Sequence, residues 1–490
     1  MLSELPDELL LQIVQYLTPL DYNDEEEGPP QGVSRRDQGS LSSLCLTCKR
    51  LNTIVIPFLY ETFIKADSIC PYTYPHLYNE PNDQSDEIER ERLLPANHKL
   101  RCFLRTLIWR PDLALMVKYL FLTPWANSHW FAHFGYRPTP PTEGLAQMFC
   151  TAASGGMMFP RERESWLTAL RDGVEDAEVA LLLHLLRGLS QLDITMPVWR
   201  RSVSRPKLKP EFFFRSLLNT ASVRRSKGVS SFAHLERVVL SCMMIGHGAP
   251  RRLVSMDVIC DLLSLPSLRE FEVWYTLGLT PSPGYRAPSE MSSAESIVLA
   301  HCLPTEYAVK TLMKSCRRLR NFQMIGDNNF TALERPILDW RLFSDALRIQ
   351  SGSLQILGLE VNDVVHIETD TLSTRTVASL QGFASLKILR ISQWILLGRT
   401  LAHGDTPSVQ LGDALPSALE ELTVVDCDHV ILVHLHGLVQ NVPSSSSELT
   451  KVRTEHIPHL IDESTTRELM DTVTALRDSL MRVGVLWEYG

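Results

Sequence analysis

The sequence predicts an α/β chain in which a small helical module precedes an irregular solenoid of strand-turn-helix units. Three observations carry this reading. At 490 residues the chain exceeds one ordinary core, which leaves several domains or one elongated repeat architecture. An apolar-x-x-apolar-x-apolar pattern recurs at near-constant spacing through the later part of the chain. Residues 1–64 instead carry helical periodicity with breaks between the periodic stretches.

Residues 5–17 read LPDELLLQIVQYL, and Leu5, Leu9, Leu10, Ile13, Val14 and Leu17 form one wide apolar stripe along a helix. Pro6 suits the first helical position, where its missing N–H is no loss. Asp7 and Glu8 set negative charge on the positive end of the helix dipole. The helix should stop near Thr18-Pro19, because the residue before proline is pushed out of the α region. Residues 21–40 hold an acidic cluster, Pro29-Pro30 and separate glycines, the composition of a solvated loop. Over 41–63, Leu41, Leu44, Cys45, Cys48 and Leu51 fall on one helical face, and Pro57 is expected to separate that helix from residues 58–63. A unit this small is close to the lower limit for independent stability. It either caps a larger domain with its stripe turned inward or covers that stripe with a partner.

Residues 79–92 are polar and mostly acidic, a linker or exposed loop, and 65–125 as a whole reads as linker and lead-in helices. From 126 to 463 the three-point pattern appears at Leu189-Leu192-Ile194, Leu235-Val238-Leu240, Leu268-Phe271-Val273 and Leu319-Phe322-Met324. It continues at Leu354-Leu357-Leu359, Leu386-Leu389-Ile391 and Leu419-Leu422-Val424, and the two positions Leu449-Val452 follow. One copy means nothing, since a chain this apolar holds roughly 40 accidental matches. The spacing carries the information: first positions at 319, 354, 386 and 419 lie 35, 32 and 33 residues apart. The copies ending at Asn362 and Cys427 resemble the leucine-rich-repeat signature through its Asn/Cys position. In that fold a short strand turns inward, and the Asn or Cys satisfies backbone groups where the strand leaves the sheet. Stretches 340–349 and 374–380 are expected to be helices between strands. The alternative is an unrelated α/β protein with strands at similar intervals.

Two insertions interrupt the earlier copies. Residues 200–227 hold nine basic residues against Glu211, which reads as a solvated loop, a nuclear-import patch or a contact for an acidic partner. Residues 278–293, rich in Pro, Gly and Ser, read as an irregular loop. At 464–490, Thr465-x-x-Glu468 has capping-box form, Leu469, Val473, Leu476 and Leu480 make one stripe, and Gly484 ends it. A terminal helix of this kind covers the last repeat, as solenoids require.

The two-part motif LPDELLLQIVQYL and LSSLCLTCKRLNTIVIPFLYETF resembles an F-box, in the version common in fungal F-box proteins, over about residues 3–64. The likeness continues weakly into FLRTLIWRPDLALMVKYLFL, residues 103–122. The resemblance implies docking onto the Skp adaptor of a cullin-RING ubiquitin ligase through Leu5, Pro6, Glu8, Leu9, Ile13 and Leu17, with Leu44, Cys45, Cys48, Lys49 and Leu51 from the second part. Such docking is helix-in-groove recognition, with aliphatic anchors for affinity and polar groups for register. The long loop 21–40 departs from the family's short connection and leaves the pairing of the two parts open.

Composition excludes several classes. Hydrophobic content of 44% and charged content of 21% are globular values, not those of a disordered or collagen-like chain. A net charge of −9 argues against a surface built as a whole for nucleic acid. Ten cysteines fall far below disulfide-scaffold density and suit a reducing compartment. With Arg35 the first basic residue, no signal peptide is expected, and Lys118, His184 and Arg187 break the longest apolar runs, so no membrane span is expected. The expected setting is intracellular, cytoplasmic or nuclear. The common hydrolase, metalloprotease and nucleotide motifs do not occur. Cys45-x-x-Cys48 has ligand spacing without a second pair, and on a helix both thiols would lie on the apolar face. His434-x-His436, if extended, would point both rings to one side of a strand, but no carboxylate or thiol pattern accompanies it. No metal, cofactor or catalytic residue is expected.

The resemblance implies a non-enzymatic adaptor that tethers a target protein to a ubiquitin ligase. Exposed residues flanking the strand positions are the candidate target contacts: Arg269, Glu272, Trp274, Lys387, Arg390 and Trp394. A repeat scaffold without ligase coupling, and an enzyme with an unrecognised site, remain as alternatives.

Overall fold

In a computed structural model of the chain, the described residues are 5–17, 35–65, 98–122, 125, 138–155, 160–196, 213–223, 232–242, 256–274, 276, 291–302, 304–326, 338–361, 376–377, 379–398, 411–427, 430–445, 448–456 and 466–489. The chain divides into two units: one of Met1–Arg252 with Leu265–Leu268, the other of Leu253–Ser264 with Arg269–Gly490.

The first unit opens with three helices, α1 (Asp7–Leu17), α2 (Arg35–Cys45) and α3 (Lys49–Glu61). Four parallel strands follow in sequence order: β1 (Thr62–Lys65), β2 (Tyr119–Leu122), β3 (Gln191–Met196) and β4 (Arg237–Cys242). In register across them, Phe63, Leu120, Leu192 and Val238 make one row. Between β2 and β3 lies the helix Glu175–Leu185, buried on every side from Glu175 to His184. Its predecessor, Pro160–Asp172, ends at Gly173 with φ +73. There Val174 N–H reaches Ala169 O at 2.9 Å, and a Cβ would lie 2.3 Å from Thr139 O, so only glycine fits.

In the second unit eight parallel strands run in sequence order: β5 (Glu270–Trp274), β6 (Ser296–Ala300), β7 (Asn321–Gly326), β8 (Ile356–Val361), β9 (Ile388–Ser392), β10 (Glu421–Cys427), β11 (Lys451–His456) and β12 (Leu486–Tyr489). Strands alternate sides, so one row, Phe271, Ile297, Phe322, Leu357, Leu389, Leu422, Val452 and Trp487, is sealed inside. The first-position leucines Leu319, Leu354, Leu386 and Leu419 are also fully buried. Each such side chain contributes roughly 1.5–3 kcal/mol by leaving water. Thr454, a buried polar residue of β11, accepts the Trp487 indole N–H at 3.1 Å, which offsets its burial. Cys427 lies where β10 leaves the ladder, its Sγ 3.2 Å from Val424 O, the role its place in the signature implies. Asn362 lies outside the described residues.

The second and third positions of all seven three-point patterns fall on strands, β3, β4, β5 and β7 to β10, and Val452 falls on β11. Four further strands were not expected: β1, β2, β6 and, after the terminal helix, β12. β1 and β2 start the sheet within the stretches assigned to the helical module and the lead-in segment, and β6 follows Ala294, whose small side chain hides the first position. Other local expectations are corrected. The break in 41–63 falls at Leu46–Cys48, where Cys48 Sγ accepts Leu51 N–H at 3.5 Å, and Pro57 lies inside α3 on its exposed side. α2 begins at Arg35, inside the expected loop 21–40. A helix, Phe213–Val223, occupies part of the basic stretch and buries Phe214, Leu217 and Leu218; residues 200–210 and 224–227 lie outside the described residues. The expected helix at 340–349 is Trp340–Leu347 with a short 3-10 turn, whereas the described residues of 374–380 are not helical. Residues 278–290 lie outside the described residues. The helix Thr466–Arg482 buries Val473, Leu476 and Leu480 and ends as expected at Gly484, φ +83, but the chain then adds β12. Thr465 and the side chains of Glu468 and Leu469 lie outside the described residues.

Candidate functional site

The amino-terminal helices divide the predicted stripe into two faces. Leu10 and Val14 turn inward, each 1% exposed, and Val14 packs with Leu41, Cys45 and Val55 of α2 and α3. Leu17 and Leu44 lie half-buried against that cluster. Arg50 fastens α3 to the start of α1, with Nε 2.9 Å from Asp7 Oδ1 and Nη2 2.7 Å from Leu5 O. Asn52 Nδ2 donates to Cys45 O at 3.1 Å and closes the end of α2. α1 is therefore held by one face and by both ends of its first turn.

Its other face points outward. Leu9 is 44% exposed, Ile13 37% and Tyr16 84%, spaced four and three residues apart on one side of the helix. Leu11, and Leu46 in the turn before α3, are exposed as well. Among the other predicted docking residues, Pro6, Glu8 and Lys49 are exposed, Leu5 and Cys48 half-buried, and Cys45 and Leu51 buried. The predicted set thus combines an outward group with residues that hold the module together. Tyr16 and Leu46 were missed, although periodicity from Leu9 and Ile13 reaches Tyr16.

The strand face of the second unit carries a register row of Glu272, Val298, Gln323, Gly358, Arg390, Thr423, Arg453 and Glu488. Arg390 is its centre: Nε lies 2.6 Å from Glu360, and Nη1 and Nη2 lie 3.0 and 2.9 Å from the two oxygens of Glu455. Burial opposes its charge, but the hydrogen bonds of Glu360 and Glu455 hold the guanidinium more firmly protonated than usual. Next to it, Ser392 Oγ bonds Asp426 Oδ2 at 2.9 Å; burial raises the Asp426 carboxyl, and Glu360 and Glu455 push it the same way. Sequence reading found Arg390 but not Glu360, Asp426 and Glu455, whose convergence is set by strand register. Trp394, in the short helix Gln393–Leu397 that follows β9, donates to Val361 O at 3.0 Å and meets Trp340 edge-on; it and Trp274 are half-buried and not, as expected, exposed. Trp274 stands 5.8 Å from the His301 ring, with its indole N–H 3.4 Å from Glu272. Arg269 and Lys387 sit just before their strands, exposed, in pairs with Glu295 at 2.9 Å and Glu420 at 2.5 Å.

Three acids that no motif flagged cluster in the first unit at the start of Glu175–Leu185. Glu175 lies 2.5 Å from Lys65 Nζ, Glu178 2.7 Å from Arg101 Nε, and Asp176 accepts from Trp125 Nε1 at 2.7 Å and Phe213 N–H at 2.8 Å. Burial pushes Asp176 up to about 6 and Glu178 up to about 8. Every carboxylate here is matched by a donor from another element, the arrangement of a structural lock. His434-x-His436 is not extended but part of the helix Ile431–Ser445, with His434 buried and His436 exposed on a different face. Among the described residues no three His, Cys, Asp or Glu gather as a metal site, and no helix is long and apolar enough to cross a membrane.

Comparison with known families agrees with this geometry. A family model described as F-box-like matches residues 2–65, and one described as a leucine-rich repeat domain matches residues 94–484. No curated protein matches the chain. With the repeat family spanning well over half of its length, the chain belongs to the leucine-rich repeat proteins and carries an F-box-like domain at its amino end.

Proposed function

We propose that this protein is a substrate-recruiting subunit of a Skp-cullin-F-box type ubiquitin ligase, working inside the cell and making no bonds itself. α1 binds the Skp adaptor through Leu9, Ile13 and Tyr16, with Pro6, Glu8 and Lys49 at the rim. A target protein lies on the strand face, near Glu272, Trp274, Arg390 and Trp394, with Arg269 and Lys387 at its edge. Ubiquitin transfer is then accelerated by effective concentration, because tethering makes attack by a target lysine nearly intramolecular. One observation supports this most: the outward apolar stripe of a helix whose inward face is already occupied by Leu10 and Val14. Exposed neighbours on a helix are usually polar, and a stripe of this kind is suited to a partner's groove.

The test is capture of purified Skp adaptor by the full chain. Leu9→Asp with Ile13→Asp should weaken capture by about 30-fold or more, the scale of losing a hot spot. Met481→Asp, at a 54% exposed position far along the sequence, should leave it intact. Unchanged capture by the folded double variant would overturn docking through α1, and no capture by the parent chain would favour a repeat scaffold without ligase coupling.

A further inference from the structure

We infer that the helix side of the second unit holds a docking site for an acidic, leucine-bearing peptide segment of another protein. The site lies between the helix Glu306–Ser315 and the helix Trp340–Leu347 with its 3-10 turn Arg348–Gln350, away from the strand-face residues named above. It stands independently of the ligase reading.

Charge is the first argument. Lys310, Lys314, Arg317, Arg318, Arg341 and Arg348 are all exposed on these two helices and the residues following the first. Three acids accompany them, and each has a local task. Glu306 accepts the Asp339 N–H, Asp339 caps the N–H groups of Arg341 and Leu342, and Asp345 pairs with Arg348 at 3.3 Å. A chain of net charge −9 thus concentrates positive charge here.

Shape and apolar surface are the second. Tyr307, Leu342 and Ile349 are 59%, 57% and 42% exposed on the same two elements. Ile349 also lines a concavity of about 580 Å³, together with Met313, Lys314, Arg317, Gln350 and Ser353. That volume falls within the range of sites that hold a ligand side chain or small molecule. Its floor is fixed by Gln350, which is buried. Nε2 donates to Met313 O at 2.8 Å and Cys316 O at 2.9 Å, while Oε1 accepts from Leu319 N–H at 3.1 Å and Ser353 Oγ at 2.8 Å. Carbonyls at a helix end ordinarily attract a nearby cation. Here Gln350 satisfies two of them.

The complementary ligand carries carboxylates for the basic rim and an aliphatic anchor for Ile349. A nucleic acid offers the charge but no such anchor, and the negative chain as a whole repels a long polyanion.

The probe is a fluorescein-labelled short peptide of Glu and Asp with Leu at every third or fourth position, titrated with full-length protein and read by anisotropy. Binding is expected to weaken as salt is raised, and to fall about tenfold or more in Lys314→Glu/Arg317→Glu and, separately, in Ile349→Asp. All three positions are exposed, so thermal midpoint and circular dichroism should stay unchanged. No binding of the peptide, equal binding by either variant, or displacement of the peptide by oligothymidine in preference to unlabelled peptide would overturn the assignment.

Discussion

Replacing Arg101 by Met should destabilise the first unit by an amount that depends on pH. Arg101 Nε lies 2.7 Å from Glu178 Oε1, and its Nη2 donates to Thr139 O at 2.7 Å and Gly173 O at 3.4 Å, so the substitution strands three acceptors. Glu178 is wholly buried, and burial raises its carboxyl to about 8; Glu175 adds to the rise, while Arg101 and Lys65 oppose it. A carboxyl whose folded pKa lies above its unfolded one binds more protons when folded. Its contribution is therefore complete below the ordinary carboxylate range and is lost as pH rises through about 8. Near pH 6 the contact is a charge-assisted hydrogen bond to a neutral acid, and its loss should cost about 1.5–3 kcal/mol. Near pH 9 Glu178 is ionised, and removing Arg101 leaves a buried unpaired charge, at about 3–5 kcal/mol. The readout is hydrogen exchange of the helix Glu175–Leu185 under increasing urea at both pH values. Glu178→Gln should remove the slope and make the protein more stable than the parent at the higher pH. A cost of Arg101→Met that is equal at the two pH values would refute the reasoning.

Three further outcomes are expected. Leu357→Ala should cost about 2–5 kcal/mol in chemical denaturation, whereas Ile388→Ala, half-buried on the strand face, should cost about 1 kcal/mol or less. Arg390→Met should destabilise more at pH 8 than at pH 5, because Glu360 and Asp426 then lose their cation while Glu455 keeps Arg453, 3.1 Å away; Glu360→Gln in the same chain should restore part of the loss. Cys260 and Cys316, whose thiols burial pushes up to about 12, should resist iodoacetamide in the folded protein at pH 8, while half-buried Cys48 reacts, as peptide mass spectrometry would show.

The solenoid was legible where repeats keep a large first-position residue, as at Leu319, Leu354, Leu386 and Leu419. It was not legible at β6, where Ala294 stands in that position, nor at β1, where buried Lys65 occupies a core position and pairs with Glu175. The same pairing hid the acidic lock. Glu175, Asp176 and Glu178 look like ordinary first-turn acids, and only Arg101, 77 residues before Glu178, together with Lys65 and Trp125 reveals that they are buried. The stripe of α1 was readable as apolar, but its division was not. Leu9 and Leu10 are sequence neighbours about 100° apart on the helix, and packing of Val14 against Leu41 and Val55 decides which one faces out. Pro57 misled because an exposed position tolerates the unpaired carbonyl one turn earlier.

The most direct measurement is hydrogen exchange of the full chain with and without saturating Skp adaptor. Added protection is predicted within α1 and around Leu46, with β7 to β11 unchanged. Equal exchange of α1 in both samples would contradict the claim that its outward face is covered by another polypeptide.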